Sequence, residues 1–415
     1  MRKHFLLVCL LLSLLPFTSR AKNKVAVDLT IYPETHSFSC RYTLDAAVPA
    51  GGLLLNLNKQ FAVGKVTGGT LRAYTATAFY DTFQKDTLRR LALQFTRSKP
   101  QQTVTIQYSG IISERYHTDG LADFTAQANW LPTIPDKEYD LVDYQLTVHV
   151  PESYQVVSTH EPLRTAPGAY TFTGTGPSIE ITAIAAQRFT QLVSTSDNVH
   201  ITVQKANRAT SANDTLLLAD ARKIIAYQNR LFGSKDPIRN FTFLLPNVNR
   251  TASGLLDNAA VIAYLTFDTK DPGDLLILAH EISHKWWGYG VWNTYDNWLN
   301  EAFATYSGLL YLKAAGDTAS FRKELSKRQK SATGAPAIIN FDVRKNDYPS
   351  FRRVIYDKGT VVLYELHQRV GDAQFFRILT RTAAAKVATT EAFLKLVEQQ
   401  SSRETSEWLA HKLGT

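Results

Sequence analysis

The chain has 415 residues, of which 44% are hydrophobic, 20% charged and 11% aromatic. This composition is typical of a globular protein and excludes a disordered or low-complexity chain. The chain is longer than a domain with a single hydrophobic core usually is, so we expect two folded units. The formal net charge is +9, but the basic residues are scattered rather than clustered, which argues against nucleic-acid binding.

The first residues have the pattern of a secretion signal. Arg2 and Lys3 precede an apolar run at residues 5–15, and residues 19–21 have the small-x-small form of a cleavage site. We interpret residues 1–21 as a signal peptide that directs the chain to the periplasm or the extracellular space. The apolar run is shorter than a membrane span and no later segment supplies one, so we expect no integral membrane segment in the mature chain.

The chain has two cysteines, and Cys9 lies within the predicted signal peptide. Cys40 would then be alone in the mature chain and would have no internal disulfide partner. We interpret it as a small buried hydrophobe in a strand.

From residue 24 to about residue 187, apolar and polar residues alternate in short segments. A period of two is typical of strands with one buried face, and Gly, Pro, Asp and Ser lie between the segments. The predicted strands are residues 25–32, 53–57, 91–95, 103–108, 144–150 and 178–184. The sequence therefore predicts an all-β domain in this half.

The pattern changes near residue 206. Residues 215–232 place apolar side chains at helical spacing, residues 241–245 form a further strand candidate, and helical patterns dominate from there to the end. We predict an N-terminal β domain at residues 22–205 and a mainly helical domain at residues 206–415. The predicted fold class is α+β with two domains.

The candidate chemistry centres on the sequence His280-Glu281-Ile-Ser-His284. Asp271 and Pro272 suit the cap and first turn of a helix that carries this motif. Two histidines four residues apart project from one face of a helix, which is the geometry that two imidazoles need to share a zinc ion. The alternative is a pair of hydrogen-bonded core histidines.

A catalytic zinc site needs a third protein ligand and an open position for water. Glu301 is the best candidate, because it begins a second predicted helix that starts at Trp298 and ends near Gly316. The alternative for Glu301 is a carboxylate that only stabilises the helix N-terminus.

Residues 280–288 and 298–304 resemble the two zinc-binding helices of the gluzincin aminopeptidases, a group that includes alanyl aminopeptidase, puromycin-sensitive aminopeptidase and leukotriene hydrolase. The resemblance implies a saddle-like β sandwich followed by a thermolysin-like catalytic domain with one zinc per chain. Sixteen residues separate His284 from Glu301, where the family usually has eighteen. The large C-terminal helical domain of longer members has no counterpart, so the chain looks like a short form.

Two further segments are similar to family motifs. Residues 350–359 resemble the segment whose tyrosine stabilises the oxyanion, which assigns that role to Tyr356. Gly254, Asp257 and Asn258 occupy the place of the Gly-x-Met-Glu-Asn motif, whose glutamate binds the α-amine of the substrate. Asp257 keeps the charge of that glutamate but is one methylene shorter; its alternative role is that of a turn residue.

The resemblance implies zinc-dependent peptide hydrolysis, in which Glu281 is the general base and Tyr356 stabilises the oxyanion. We expect an aminopeptidase that acts on peptide substrates. A peptidase that accepts internal bonds is one alternative, because of the change at Asp257, and a non-catalytic zinc-binding scaffold protein is another. The oligomeric state, the side-chain preference and the physiological substrate stay open.

Overall fold

A computed structural model describes residues 22–49, 52–81, 86–96, 101–118, 120–246, 252–262 and 268–415. The predicted signal peptide at residues 1–21 lies outside the described residues, so export stays a prediction. Within the described residues, no helix is both long enough and apolar enough to cross a membrane.

The first half of the described chain consists of strands joined by short turns. Their bounds are β1 Asn23–Tyr32, β2 Ser37–Ala46, β3 Leu53–Asn58, β4 Ala62–Gly68, β5 Leu71–Asp81, β6 Asp86–Phe95, β7 Gln102–Ile111, β8 His117–Thr118, β9 Leu121–Phe124, β10 Leu141–His149, β11 Gln155–Val157, β12 Leu163–Ala166, β13 Ala169–Pro177 and β14 Ala183–Ala186. They form a seven-stranded sheet (β12-β13-β10-β1-β2-β7-β4), a three-stranded sheet (β3-β6-β5) and a four-stranded sheet (β11-β14-β9-β8).

The alternating pattern of the sequence accounts for these strands. In β1, Val25, Val27, Leu29 and Ile31 are buried, while the residues between them face outward. This strand pairs antiparallel with β2 and parallel with β10, which begins more than a hundred residues later. The predicted β-rich N-terminal half is confirmed.

Cys40 lies on β2 within this core and forms no disulfide. Burial raises the pKa of its thiol to about 12. The thiol is therefore protonated and unreactive at neutral pH, which confirms its interpretation as a small buried hydrophobe.

The strand predicted at residues 178–184 is wrong in its first half. Ser178–Glu180 is a turn of 3₁₀ helix, and β14 begins only at Ala183. The chain crosses here from the seven-stranded sheet to the four-stranded sheet, so the segment forms a corner rather than a strand. The backbone N–H of Ile179 donates to the carbonyl oxygen of Glu138 at 3.1 Å, which fixes the corner.

A further sheet of five strands, ordered β15-β16-β17-β19-β18, begins the second half. The bounds are β15 Phe189–Ser196, β16 Val199–Ala206, β17 Asn240–Leu245, β18 Ser253–Leu255 and β19 Ala259–Val261. Strand β16 pairs with β17 across the predicted division at residues 205 and 206. The position of the domain boundary stays a prediction.

Helices form most of the remaining chain, which confirms the predicted α+β fold class. Their bounds are α1 Ala212–Leu231, α2 Pro272–Ser283, α3 Trp298–Ala314, α4 Thr318–Ala332, α5 Tyr348–Phe351, α6 Gly359–Val370, α7 Asp372–Ala385, α8 Thr390–Gln400 and α9 Arg403–Gly414. Helix α3 is buried over most of its length, and α2 packs along it.

Helices α2 and α3 approach closely at Gly308. A Cβ atom at this position would lie 2.8 Å from the carbonyl oxygen of Leu276 on α2, so only glycine permits this distance between the two backbones. The start of α3 is fixed by Trp298, whose indole N–H donates to Thr390 Oγ1 at 2.9 Å. These contacts set how side chains from the two helices meet.

Candidate zinc site

Helix α2 carries the predicted zinc motif. Its N-cap is Asp271, whose Oδ1 accepts a hydrogen bond from the N–H of Gly273 at 2.8 Å, and Pro272 lies in the first turn. The predicted helix and its cap are confirmed. His284 directly follows the last residue of α2 and keeps right-handed helical dihedral angles. The Nε2 atoms of His280 and His284 therefore lie 3.0 Å apart.

Glu301 lies in the first turn of α3 and faces both histidines. Its Oε2 is 3.4 Å from Nε2 of His280 and 3.8 Å from Nε2 of His284. The connection between the helices is closed by Asn300, which accepts a hydrogen bond from the N–H of Gly290 at 2.7 Å and donates to the Gly290 carbonyl at 3.0 Å. Although this connection is two residues shorter than is usual in the family that the sequence resembles, it still brings Glu301 close to the two histidines.

The polar atoms of these three side chains suit a metal cation. Nδ1 of His284 lies 2.7 Å from the carbonyl oxygen of Trp287, which only accepts, so Nδ1 carries the hydrogen and Nε2 carries a lone pair. Nδ1 of His280 is held by Thr305 Oγ1 at 3.2 Å. Oε2 of Glu301 is buried and has no hydrogen-bond partner. Two imidazole nitrogens and a carboxylate oxygen around one point are a ligand set of Zn²⁺.

A second carboxylate lies beside this cluster. A ligand atom of Glu281 is within 4.8 Å of ring nitrogens of both His280 and His284. Its Oε2, however, accepts a hydrogen bond from the N–H of Gly254 at 2.5 Å, which holds the side chain toward β18. Because the buried oxygen of Glu301 has no such partner, Glu301 is better placed as the third ligand. The catalytic role of Glu281 stays a prediction.

The charge state of Glu301 fits a metal ligand. Burial acts to raise the pKa of its carboxyl, but the adjoining His280 and His284 side chains outweigh burial and bring the pKa below its ordinary value. The carboxyl is therefore ionised at neutral pH, as metal coordination requires.

Tyr356 lies in a π-helical segment, Arg352–Lys358, between α5 and α6. Its ring is nearly parallel to that of His280, with centroids 6.2 Å apart, and the guanidinium of Arg352 lies 4.6 Å from the tyrosine centroid. Burial, followed by the charge of Glu301, raises the pKa of the phenol well above its ordinary value. The hydroxyl is therefore a hydrogen-bond donor at neutral pH. Short π-helical segments are frequent at functional sites.

Asp257 is hydrogen-bonded to the β half, and its predicted role in binding the α-amine stays a prediction. Its Oδ2 accepts hydrogen bonds from the hydroxyl of Tyr144 at 3.1 Å and of Thr159 at 3.3 Å, and Nδ1 of His160 lies 3.7 Å away. All three partners belong to the β half. Asn258 follows in the left-handed region with φ 60°, which ends the turn after β18.

Several residues near the site were not predicted. The ring of Tyr139 stacks on Trp292 at 3.9 Å between centroids, and Trp292 lies 6.4 Å from the ring of His284. The buried Glu180 accepts a hydrogen bond from the N–H of Leu256 at 3.2 Å. The sequence pattern predicted a strand over residues 178–184, and no local signal marked Glu180.

Gly254→Ala is expected to lower thermal stability and zinc-dependent activity together. A Cβ at this position would overlap the carbonyl oxygen of Glu281 and lie 2.8 Å from Cβ of His284, so β18 would have to move away from α2. Overpacking of this kind typically costs about 1–3 kcal/mol. The matched control is Gly69→Ala, where no atom lies within 4 Å of the added Cβ. Equal unfolding temperatures for the two variants would contradict the close contact.

Comparison with known proteins agrees with this geometry. Residues 268–410 match the peptidase family M1 domain. Endoplasmic reticulum aminopeptidase 2 of Bos taurus is 30% identical over 145 residues, which are 30% of this chain and 15% of that protein. The four curated relatives that we compared are matched over 15 to 28% of their own length.

Solved structures are similar over almost the whole chain. An M1 zinc metallopeptidase from Deinococcus radiodurans superposes with a TM-score of 0.71 at 19% identity, covering 95% of this chain and 94% of that one. The structure of yeast LTA4 hydrolase in complex with bestatin has a TM-score of 0.70 at 16% identity, covering 95% of this chain and 66% of that one. At these identities the likeness concerns the fold.

The structure thus has a fold similar to that of a solved zinc metallopeptidase and a cluster of His280, Glu281 and His284 that could hold a metal ion. The segment at residues 268–410, which matches the peptidase family M1 domain, carries His280, Glu281, His284, Glu301 and Tyr356. The family resemblance found in the sequence is thereby confirmed.

Proposed function

We propose that this protein is a zinc-dependent aminopeptidase that removes N-terminal residues from peptides. The observation that carries the proposal is the convergence of two imidazole Nε2 atoms and the unpartnered Oε2 of Glu301 beside Glu281. The names of relatives support it, since those from Bos taurus, Plutella xylostella and Streptomyces lividans are aminopeptidases. A mutant of the Deinococcus radiodurans enzyme was solved with a Tyr-Ser-Ala substrate.

The residues of the site have different roles in hydrolysis. His280, His284 and Glu301 would hold zinc, which when bound supplies Lewis-acid chemistry that polarises the carbonyl and makes water reactive near neutral pH. Glu281 takes the proton of the attacking water and passes it to the leaving amine. One of its oxygens is fixed by the N–H of Gly254, so the carboxylate is oriented before the substrate arrives.

Tyr356 stabilises the negative charge that forms on the carbonyl oxygen. The burial that raises the pKa of its phenol keeps the proton in place, so the hydroxyl is available as a hydrogen-bond donor at neutral pH. A donor aimed at charge that develops only in the transition state accelerates the reaction more than it strengthens substrate binding.

A peptidase that accepts internal bonds is the second candidate, and one observation favours it. The carboxylate of Asp257, which was predicted to bind the α-amine, is hydrogen-bonded to Tyr144 and Thr159 of the β half. If no other group binds the amine, nothing in the site would distinguish a chain terminus from an internal residue.

The expected result is that an octapeptide is shortened stepwise from its N-terminus, while its N-acetylated form is cut at least about 100-fold more slowly. The physical reason is that a blocked amine has lost the positive charge that a buried carboxylate recognises. Mass spectrometry of timed digests gives both rates and the cleavage positions. Equal rates on the two peptides, with internal fragments from each, would refute the aminopeptidase proposal in favour of the second candidate.

Export to the periplasm or the extracellular space is part of the same proposal and depends on the interpretation of residues 1–21. The N-terminal residue of the protein isolated from its own cells tests it, since removal of the signal peptide would leave Lys22 first. An intact Met1 would contradict export by this route.

A further inference from the structure

The π-helical segment Arg352–Lys358 carries Tyr356 between α5 and α6. The N–H of Gly359, at the start of α6, donates to the carbonyl oxygen of Val354, five residues earlier. A π turn holds one residue more than an α turn, and each residue of a helix turns the chain by about 100°. The extra residue therefore sets the direction of the Tyr356 side chain.

One end of this segment is fixed to the helix that carries Glu301. A Cβ atom at Gly359 would lie 2.6 Å from Cβ of Ala302 on α3, so the two helices are in close contact here. The ring of Tyr356 lies nearly parallel to that of His280, with centroids 6.2 Å apart. The contact with α3 fixes the start of α6, but the preceding turn needs a second attachment to keep its register.

The second attachment is an ion pair between the residue after Tyr356 and helix α4. Nη1 of Arg328 donates to Oδ1 of Asp357 at 2.7 Å, and the hydroxyl of Ser331 donates to Oδ2 at 2.7 Å. Arg328 is buried, with 8% of its surface exposed, and the carboxylate of Glu324 lies farther from it, at 3.9 Å. Both oxygens of Asp357 are thus held, and Asp357 supplies the nearer negative charge to a buried guanidinium.

Two cations of the segment bind the end of the same helix. Nε and Nη2 of Arg353 donate to the carbonyl oxygens of Ser331 and Thr333 at 2.7 and 2.6 Å. Nζ of Lys358 donates to the carbonyl oxygen of Pro336 at 2.8 Å. The last carbonyl groups of a helix lack partners within it and carry partial negative charge, so cations stabilise them. These bonds hold the segment against α4 on the side where Asp357 binds.

Asp357 and Tyr356 are neighbours, so their side chains move together when the segment rotates. A turn of about 100°, which would return the segment to an α-helical register, would separate Asp357 from Arg328 and the phenol from His280 at once. We propose that Asp357 is a positioning residue, whose ion pair with Arg328 holds the π-helical turn in the register that directs Tyr356 toward the zinc ligands. This inference rests on the proposed peptidase function, in which Tyr356 stabilises the oxyanion.

Asp357→Asn is expected to lower kcat for Tyr-Ser-Ala roughly 10- to 50-fold with less than about a twofold change in KM, because a displaced oxyanion donor is lost mainly in the transition state. In a Tyr356→Phe background, Asp357→Asn should lower kcat by less than about twofold further, since no hydroxyl is left to displace. The control Asp214→Asn breaks another ion pair, which joins Lys205 to Asp214 of α1 at 2.7 Å, and should keep the parental kcat.

A second variant allows for loss of stability. Asp357→Asn leaves Arg328 buried without its nearest negative charge, which destabilises the fold. The double variant Asp357→Asn/Arg328→Gln also removes the guanidinium, so no buried cation is left without its partner. It should show the same fall in kcat and the same dependence on the Tyr356 hydroxyl.

A crystal structure of Asp357→Asn tests the inference without any hydrolysis. We expect residues 352–358 in an α-helical register and the ring of Tyr356 turned away from His280, while the zinc ligands keep their positions. This result would uphold the inference even if the parent hydrolysed no peptide, a finding that would overturn only the proposed function. An unmoved Tyr356, an unchanged kcat, or an equal fall in kcat with and without the Tyr356 hydroxyl would overturn the inference, because the ion pair would then contribute to stability alone.

Discussion

Glu281→Gln is expected to lower kcat for peptide hydrolysis by about 10³-fold while the zinc content stays at one per chain. General-base catalysis by a positioned carboxylate typically contributes about 10²–10⁴-fold, and the amide cannot take the proton of water. The fold should persist, because the amide oxygen still accepts the hydrogen bond from Gly254 that Oε2 of Glu281 accepts in the parent. Steady-state kinetics on an unblocked peptide, together with metal analysis of the same sample, provide the measurement.

The matched control is Glu398→Gln, which makes the same chemical change at an exposed position of α8. It should keep the activity and zinc content of the parent. Undiminished, chelator-sensitive hydrolysis by Glu281→Gln would show that another group is the base. Full zinc content without any hydrolysis in the parent itself would instead favour the scaffold alternative.

Glu301→Gln is expected to weaken zinc binding by more than about 100-fold. Mutation of residues that only orient metal ligands already lowers metal affinity by about 10- to 100-fold. Glu301 has a more direct part, because it provides the charged oxygen beside the two imidazoles. Competition with a zinc indicator measures the affinity directly and does not depend on catalysis. Zinc at 100 times its Kd should stabilise the parent by about 2.7 kcal/mol, and the variant should show little of this effect at the same concentration.

Glu398→Gln again serves as the control and should bind zinc like the parent. If Glu301→Gln also kept parental affinity while Glu281→Gln lost it, the ligand assignment would be reversed. Glu281 would then complete the metal cluster with His280 and His284, and Glu301 would be a buried carboxylate near it.

The zinc helix was predictable because its geometry is local. The four-residue spacing of His280 and His284 fixes their relative position on any helix, and Asp271 and Pro272 mark where that helix begins. The position of Glu301 beside them depends on the close packing of α2 and α3 at Gly308, which the spacing of residues does not encode. The family resemblance supplied that part of the prediction.

The orientation of Asp257 depends on contacts that a motif cannot show. Its partners Tyr144 and Thr159 precede it by 113 and 98 residues, and they approach it only because the β half packs against the turn after β18. The motif gave the position of Asp257 in the chain but not the direction of its side chain. A shorter carboxylate with two hydroxyl donors nearby turns toward those donors.

Glu180 was missed for a related reason. Polar and apolar residues alternate from residue 178 to residue 182, which is a strand pattern, and a strand would turn Glu180 outward. The chain changes sheets at this point, and the resulting 3₁₀ turn buries Glu180 against Leu256. The π-helical conformation around Tyr356 likewise had no sequence signal, although the tyrosine itself was predicted from the resemblance.

The most direct test of zinc-dependent peptide hydrolysis follows a defined mixture of unblocked peptides by mass spectrometry. The purified protein is measured as prepared, after zinc is removed by a chelator, and after zinc is restored at one equivalent per chain. We predict stepwise loss of N-terminal residues, no cleavage after removal, and recovery with added zinc, with Glu281→Gln inactive in all three states. Peptide cleavage that persists at full rate without zinc, or a zinc-loaded protein that cleaves none of the peptides, would contradict the assignment.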